Sequence, residues 1–160
     1  MLLKDFQTGV GNSAAIVRTG DVTAKIVLSD ARSFSGQRLG IAADFELSPG
    51  WHIYGNPLPG NYIATALTFD DEIVADQTLN FPAPTPLRFD ALGETLPVYT
   101  GKFRAVGHIL LKQRLQPGEY KLAGTLQFQE CNDQVCKLPQ SVRFEIPLQV
   151  DAMVPAAPKQ

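Results

Sequence analysis

Apolar and polar residues alternate along most of this 160-residue chain. An alternation with period two is typical of a β-strand with one buried face, because successive side chains point to opposite sides. Helical periodicity is nearly absent, so the pattern predicts an all-β fold. The predicted strands are residues 22–28, 39–47, 63–69, 103–111, 120–128 and 142–150.

Clusters of proline, glycine and asparagine separate these alternating runs. Such clusters predict turns, because these residues favour the backbone conformations that reverse the chain. The spacing of strands and turns indicates a β-sandwich of about seven to nine strands. The predicted turns are "SPGW" at 48–51, "NPLPGN" at 56–61, "FPAPTPLRF" at 81–89 and "QPGE" at 116–119.

Length and charge narrow the classes of function. A chain of this size fits one domain. The net charge of −2 and pI near 5.6, without clustered basic residues, argue against nucleic acid as a partner. No apolar run approaches the roughly 18 to 20 residues that cross a bilayer, and an exported protein would carry its signal peptide outside this sequence. We expect an N-terminal extension at 1–19, the sandwich domain at 20–150 and a tail or linker at 151–160.

The two cysteines of the chain lie in "FQECNDQVCKLPQ", residues 128–140. Asn and Asp in the intervening "NDQV" favour a turn, so the segment is predicted to be a hairpin. Cysteines facing each other across a hairpin have Cα atoms about 4.5 to 5.5 Å apart, which permits a disulfide. If Phe128 points into the core, strand parity places Cys131 near the surface and ends the regular strand at Glu130.

The cysteines alone leave three uses open. A structural disulfide across a loop of about six residues stabilises a fold by only roughly 2 kcal/mol. A zinc site needs four ligands, and the remaining candidates, His52 and His108, are far apart in sequence. The third use is a redox couple, for which a short accessible disulfide is an easy target of thiol attack. No motif supports a Cys-His hydrolase.

The segment Trp51 to Tyr54 carries a second candidate set. Trp51 and Ile53 share one parity and are predicted to fill the core. His52 and Tyr54 take the opposite face, where they either border a functional site or contact solvent.

Three stretches resemble the amino-terminal (alpha) domain of the thiol:disulfide interchange protein DsbD and its relatives. The first, "GTLQFQECNDQVCKLPQSVRFEIPL" at 124–148, contains the cysteine hairpin. The others are "SPGWHIYGNPLPGN" at 48–61 and "FPAPTPLRFDALGETLPVYTGKF" at 81–103. The resemblance covers roughly residues 20–150. In this chain the cysteines enclose four residues, whereas some family members enclose five.

The resemblance implies an immunoglobulin-like β-sandwich in the bacterial periplasm, with Cys131 and Cys136 as a redox-active pair. The pair would accept electrons from a thioredoxin-like domain of the same membrane protein. It would pass them to periplasmic disulfide isomerases or to thioredoxins of cytochrome c maturation, without a metal or other cofactor. The resemblance also implies a cap loop over the disulfide at Phe89, Asp90, Ala91, Leu92 and Gly93.

Neighbouring charges suggest roles within the pair. Glu130 and Asp133 disfavour a thiolate at Cys131, whereas Lys137 favours one at Cys136. We therefore predict that Cys136 forms the bond with partners and that Cys131 resolves it. The resemblance also implies that His52 and Tyr54 lie near the hairpin. Tyr54 would pack on the disulfide there, and His52 would move protons.

Two alternatives remain open at this stage. One is an immunoglobulin-like binding or scaffolding domain whose disulfide is inert. The other is a domain of a related metal-tolerance or stand-alone oxidoreductase system, with the same hairpin and other clients.

Overall fold

The computed structural model describes residues 13–90 and 92–153. Within these residues the secondary structure consists of strands without a helix, so the predicted all-β class is confirmed. It follows that the described part holds no apolar helix of membrane-spanning length. The strands are β1 Ser13–Thr19, β2 Val22–Leu28, β3 Arg32–Ser33, β4 Arg38–Leu47, β5 His52–Tyr54, β6 Ala66–Phe69, β7 Val74–Asn80, β8 Thr85–Phe89, β9 Glu94–Thr100, β10 Lys102–Leu111, β11 Gly118–Phe128, β12 Glu130–Cys131 and β13 Gln140–Val150.

Two sheets enclose the main core and form the immunoglobulin-like sandwich. One sheet has five strands in the order β1-β2-β4-β10-β7, and the other has four in the order β3-β13-β11-β6. The apolar positions of the alternating runs face each other between the sheets, which removes them from water. Fully buried members of this core include Ile26, Leu28, Leu39, Ile41, Phe45, Ile109, Leu122 and Phe128.

Most of the predicted strands are present, with shifted ends. The run 63–69 is strand only from Ala66. The predicted turn at 81–89 is wrong in its second half, because Thr85–Phe89 is β8. Pro86 is tolerated within β8 because β8 is an edge strand. The domain boundary at residue 20 stays a prediction, although Ser13–Thr19 pairs along the whole of β2.

A third sheet, in the order β12-β5-β9-β8, carries the candidate site. It shelters a second, smaller core of Tyr54, Phe89, Leu96, Val98 and Cys131. Regular pairing of β11 ends at Phe128, and after one residue the chain pairs with β5 as β12. This change of sheet transfers the first cysteine from the main sandwich to the smaller core.

Candidate functional site

Cys131 and Cys136 form a disulfide, and their Cα atoms are 4.1 Å apart. The loop between them is held by its own hydrogen bonds. The backbone N of Asn132 donates to the carbonyl of Val135 at 2.9 Å. The Asn132 side chain accepts from the backbone N atoms of Gln134 and Val135, both at 2.8 Å. The predicted hairpin turn over "NDQV" is therefore present and is ordered by its asparagine.

The two sulfur-bearing residues differ sharply in exposure. Cys131 is fully buried, whereas Cys136 is exposed. The prediction that Cys131 lies near the surface is wrong, because strand parity does not continue from Phe128 through the irregular residue Gln129. Pairing of β12 with β5 covers both Glu130 and Cys131. The Cys136 end of the disulfide is therefore the end that faces solvent.

Tyr54 of β5 is fully buried beneath the disulfide. Its hydroxyl lies 3.1 Å from Cys131 Sγ and 3.5 Å from Cys136 Sγ. Because disulfide sulfurs carry no hydrogen, the hydroxyl is the donor in both contacts. Burial, with smaller contributions from Tyr62 and Glu94, raises the pKa of Tyr54 to about 12. The hydroxyl therefore keeps its proton at physiological pH and can donate it in a hydrogen bond to a developing thiolate.

His52 lies beside Cys131, directly across the β5–β12 pair. It is buried, and its ring centroid is 4.9 Å from that of Phe89. Burial lowers the pKa of His52, opposed by the charge of Asp133, so the imidazole is neutral at physiological pH. Its Nε2 has no hydrogen-bond partner among the described residues. The alternative of solvent exposure for the face of His52 and Tyr54 is wrong.

The cap segment divides into a buried and an exposed part. Phe89 is buried, with its ring against those of His52 and Tyr54. Leu92 is 46% exposed, and Asp90 and Gly93 are also exposed. The predicted cap residue Ala91 lies outside the described residues. A groove between this segment and the cysteine loop is lined by Phe89, Asp90, Leu92 and residues 132–136.

Lys137 and Trp51 occupy positions that the sequence did not predict. Trp51 is half-buried and is not part of the core, which corrects the core-filling prediction. The ammonium of Lys137 lies 4.4 Å from the Trp51 ring centroid. It is also 3.0 Å from Asp21 Oδ2 and 3.3 Å from Glu130 Oε2. The positive charge of Lys137, which the sequence suggested as a neighbour of the Cys136 thiolate, therefore contacts two carboxylates.

Sequence reasoning missed Asp21 and Tyr62. Asp21 is more than a hundred residues from the hairpin, and no motif in the sequence links it to the cysteines. The Tyr62 ring packs 5.1 Å from that of Tyr54, and its hydroxyl donates to Glu94 at 2.9 Å. Within residues 13–90 and 92–153, no three His, Cys, Asp or Glu side chains are grouped as metal ligands would be.

The fold and the site together define a class of protein. This is an immunoglobulin-like β-sandwich with a short loop disulfide between an exposed cysteine and a cysteine buried beside a tyrosine hydroxyl, an arrangement suited to thiol-disulfide exchange. The family model for "Thiol:disulfide interchange protein DsbD, N-terminal" matches residues 23–148. The chain belongs to this family, as the resemblance in its sequence indicated.

One solved structure agrees in fold. The N-terminal periplasmic domain of ScsB from Proteus mirabilis superposes with a TM-score of 0.61 at 18% identity, over 91% of this chain and 54% of that chain. This chain thus spans about half of the length of the ScsB domain. The reduced Neisseria meningitidis DsbD N-terminal domain gives a TM-score of 0.44 at 13% identity, over 94% of this chain and 100% of that chain. A search of curated protein sequences found no match.

Replacing Phe89 by alanine tests whether the cap shields the site. Removal of a buried ring that covers His52 and Tyr54 should speed oxidation of the reduced cysteines by a small disulfide several-fold. It should also lower the free energy of unfolding by about 3 kcal/mol. Leu92→Ala tests the exposed part of the same segment and should change stability little. Stopped-flow oxidation and urea unfolding measure the two effects, and an unchanged oxidation rate in Phe89→Ala would exclude shielding by this ring.

Proposed function

We propose that this domain exchanges disulfides with thioredoxin-like proteins, relaying electrons through the Cys131–Cys136 pair. The observation that carries the proposal is the asymmetry of the disulfide. Cys136 is exposed beside a groove, and Cys131 is buried with its sulfur 3.1 Å from the Tyr54 hydroxyl. One sulfur is thus available for attack, and the other is placed to leave with its negative charge stabilised.

The reaction starts with a partner thiolate that attacks Cys136 Sγ. The Cys131–Cys136 bond breaks, a mixed disulfide forms at Cys136, and Cys131 leaves as a thiolate that accepts the Tyr54 hydrogen bond. A second thiolate of the partner then attacks the partner sulfur that is bonded to Cys136. This forms the disulfide of the partner and releases Cys136. Two protons complete the two thiols of the domain, and the partner is left with a disulfide. The same steps in reverse pass the two electrons to a client disulfide.

The geometry favours this function over an inert structural bond. The loop disulfide closes a ring of only about six residues, so it removes little entropy from the unfolded chain. The fold has a large core between two sheets that does not include Cys136. A disulfide with an exposed cysteine is open to reductants from that side, which is a disadvantage for a structural bond and a requirement for exchange.

The donor and the clients are further parts of the proposal, and family membership supports thioredoxin-like partners in general. A thioredoxin-like domain of the same membrane protein would reduce the pair. Periplasmic disulfide isomerases or thioredoxins of cytochrome c maturation would receive the electrons. A periplasmic location is supported by the ScsB structure, which is described as a periplasmic domain.

Reduction should leave the fold intact. We expect a thioredoxin-like protein with a CxxC motif to reduce Cys131–Cys136 in native protein within minutes, with a loss in free energy of unfolding of no more than roughly 2 kcal/mol. Alkylation followed by mass measurement counts the thiols, and circular dichroism follows the fold. Resistance of the bond to this partner would exclude the relay, and global unfolding on reduction would assign the bond to structure.

Single-cysteine variants should separate the two sulfurs. Cys131→Ser leaves the exposed Cys136, which should accumulate a mixed disulfide with a thioredoxin-like partner that lacks its own resolving cysteine. Cys136→Ser leaves only the buried Cys131, which should trap little. Non-reducing electrophoresis measures both yields. Equal trapping would show that burial does not govern access, and trapping mainly through Cys131 would reverse the assignment.

Tyr54→Phe should slow reduction of the disulfide about tenfold. The variant keeps the buried ring and removes only the hydroxyl that donates to Cys131 Sγ, and a hydrogen bond to a charged group contributes about 1.5 to 3 kcal/mol. The pKa of the Cys131 thiol should rise for the same reason. Tyr62→Phe is the control, since its hydroxyl bonds Glu94. The rate of reduction by dithiothreitol gives the comparison, and equal rates for wild type and Tyr54→Phe would remove Tyr54 from the mechanism.

A further inference from the structure

The mouth of the cysteine hairpin is closed by a second connection besides the disulfide. Glu130 precedes Cys131 and Lys137 follows Cys136, so each of these residues is the neighbour of a cysteine on the side away from the loop. The backbone N of Lys137 donates to the carbonyl of Glu130 at 2.9 Å. The side chains also meet, with Lys137 Nζ 3.3 Å from Glu130 Oε2. None of these contacts involves sulfur.

The same pair is attached to the sandwich through the turn between β1 and β2. The backbone N of Asp21 donates to Glu130 Oε1 at 2.8 Å, and Lys137 Nζ donates to Asp21 Oδ2 at 3.0 Å. Gly20 has a φ of +58°, and a Cβ there would lie 2.5 Å from Glu130 Oε2. The glycine therefore allows the turn to approach the carboxylate closely. Asp21, Glu130 and Lys137 form what we call the hairpin ion cluster.

The burial of Glu130 favours persistent contacts in the hairpin ion cluster. Glu130 is 1% exposed, and a buried carboxylate is stable only when it is paired and hydrogen-bonded. The ammonium of Lys137 supplies the charge, and the Trp51 ring covers its other side. The hydrogen bond from Lys137 to Asp21, followed by that to Glu130, raises the pKa of Lys137, so the cation persists at physiological pH.

We propose that the hairpin ion cluster positions Cys136 against Cys131 when the pair is reduced, and that it thereby sets the reduction potential of the pair. This inference rests on the proposed function, in which the pair cycles between dithiol and disulfide. A disulfide forms more readily when its two thiols are held close, because less conformational entropy is lost on closure. Asp21, Glu130 and Lys137 are positioning residues in this role and do not react.

Equilibrium with glutathione measures the effect directly. In this reaction the domain dithiol and oxidised glutathione give the domain disulfide and two reduced glutathione molecules, so two electrons and two hydrogens pass to glutathione. The equilibrium constant has the units of a concentration and reports how closely the two thiols are held. A tenfold fall in this constant corresponds to about 30 mV.

The variants are chosen to keep the fold. Lys137→Met removes the cation and leaves Glu130 unpaired, which destabilises the protein. The double variant Glu130→Gln with Lys137→Met avoids a buried unpaired charge and keeps an oxygen for the Asp21 amide. The control is Lys121→Met on β11, which loses one cation from an exposed pair with Glu145 on β13.

We expect the double variant to lower the glutathione equilibrium constant about tenfold, which is about 30 mV toward easier reduction, while Lys121→Met matches wild type. The Lys137 amide, which bonds the carbonyl of Glu130, should stay protected from hydrogen exchange in reduced wild type and lose protection in the reduced double variant. The pKa of Cys136, read from its alkylation rate against pH in a Cys131→Ser background, should not change.

Three outcomes overturn the inference. One is an equal equilibrium constant in the double variant and wild type. A second is loss of Lys137 amide protection on reduction of wild type itself. A third is a rise in the pKa of Cys136 that accounts for the whole change, which would assign the effect to charge on the thiolate. All three are distinct from failure of the proposed function, which is resistance of the wild-type bond to a thioredoxin-like reductant.

Discussion

The site depends on the pairing of β12 with β5. This short antiparallel contact, two residues on β12, takes the chain out of the main sandwich after Phe128 and places Cys131 beside His52. Because side chains directly opposite each other on paired strands are close neighbours, the first cysteine is buried in the smaller core. The second cysteine, five residues later, lies beyond the end of that strand and stays exposed. The asymmetry of the disulfide thus follows from where one strand ends.

This arrangement separates the stability of the domain from its chemistry. Most buried apolar residues lie between the two large sheets, and the disulfide contributes little to them. We therefore expect the chain to keep its core when the sulfur bond is lost and regained, as the proposed exchange of disulfides requires. The smaller core, with Tyr54 and Phe89, provides the low-polarity environment in which a hydrogen bond to sulfur is strong.

The sequence was informative where local pattern decides structure. Alternation located β2, β4, β11 and β13, because a half-buried strand repeats every two residues. It failed at Cys131, since parity is lost wherever a strand changes sheet, and it failed at β8, where proline suggested a turn although an edge strand tolerates it. The contact of Asp21 with Lys137 joins distant parts of the chain, so neighbouring residues alone did not reveal this partner of the lysine. Resemblance to a family identified the cysteines, and only the three-dimensional arrangement distinguished them.

In the proposed function, the buried Tyr54 hydroxyl would have a hydrogen-bond partner in both redox states of the site. A buried polar group without a partner destabilises a protein by about 1 to 3 kcal/mol. In the oxidised domain the hydroxyl donates to the sulfurs of the disulfide. In the reduced domain Cys131 offers a thiol or a thiolate at the same place, and both accept a hydrogen bond, the thiolate more strongly. Neither state would leave the hydroxyl unsatisfied, and the state with a charged sulfur would gain most. In the exchange we propose, the tyrosine would therefore favour the step in which Cys131 carries the charge.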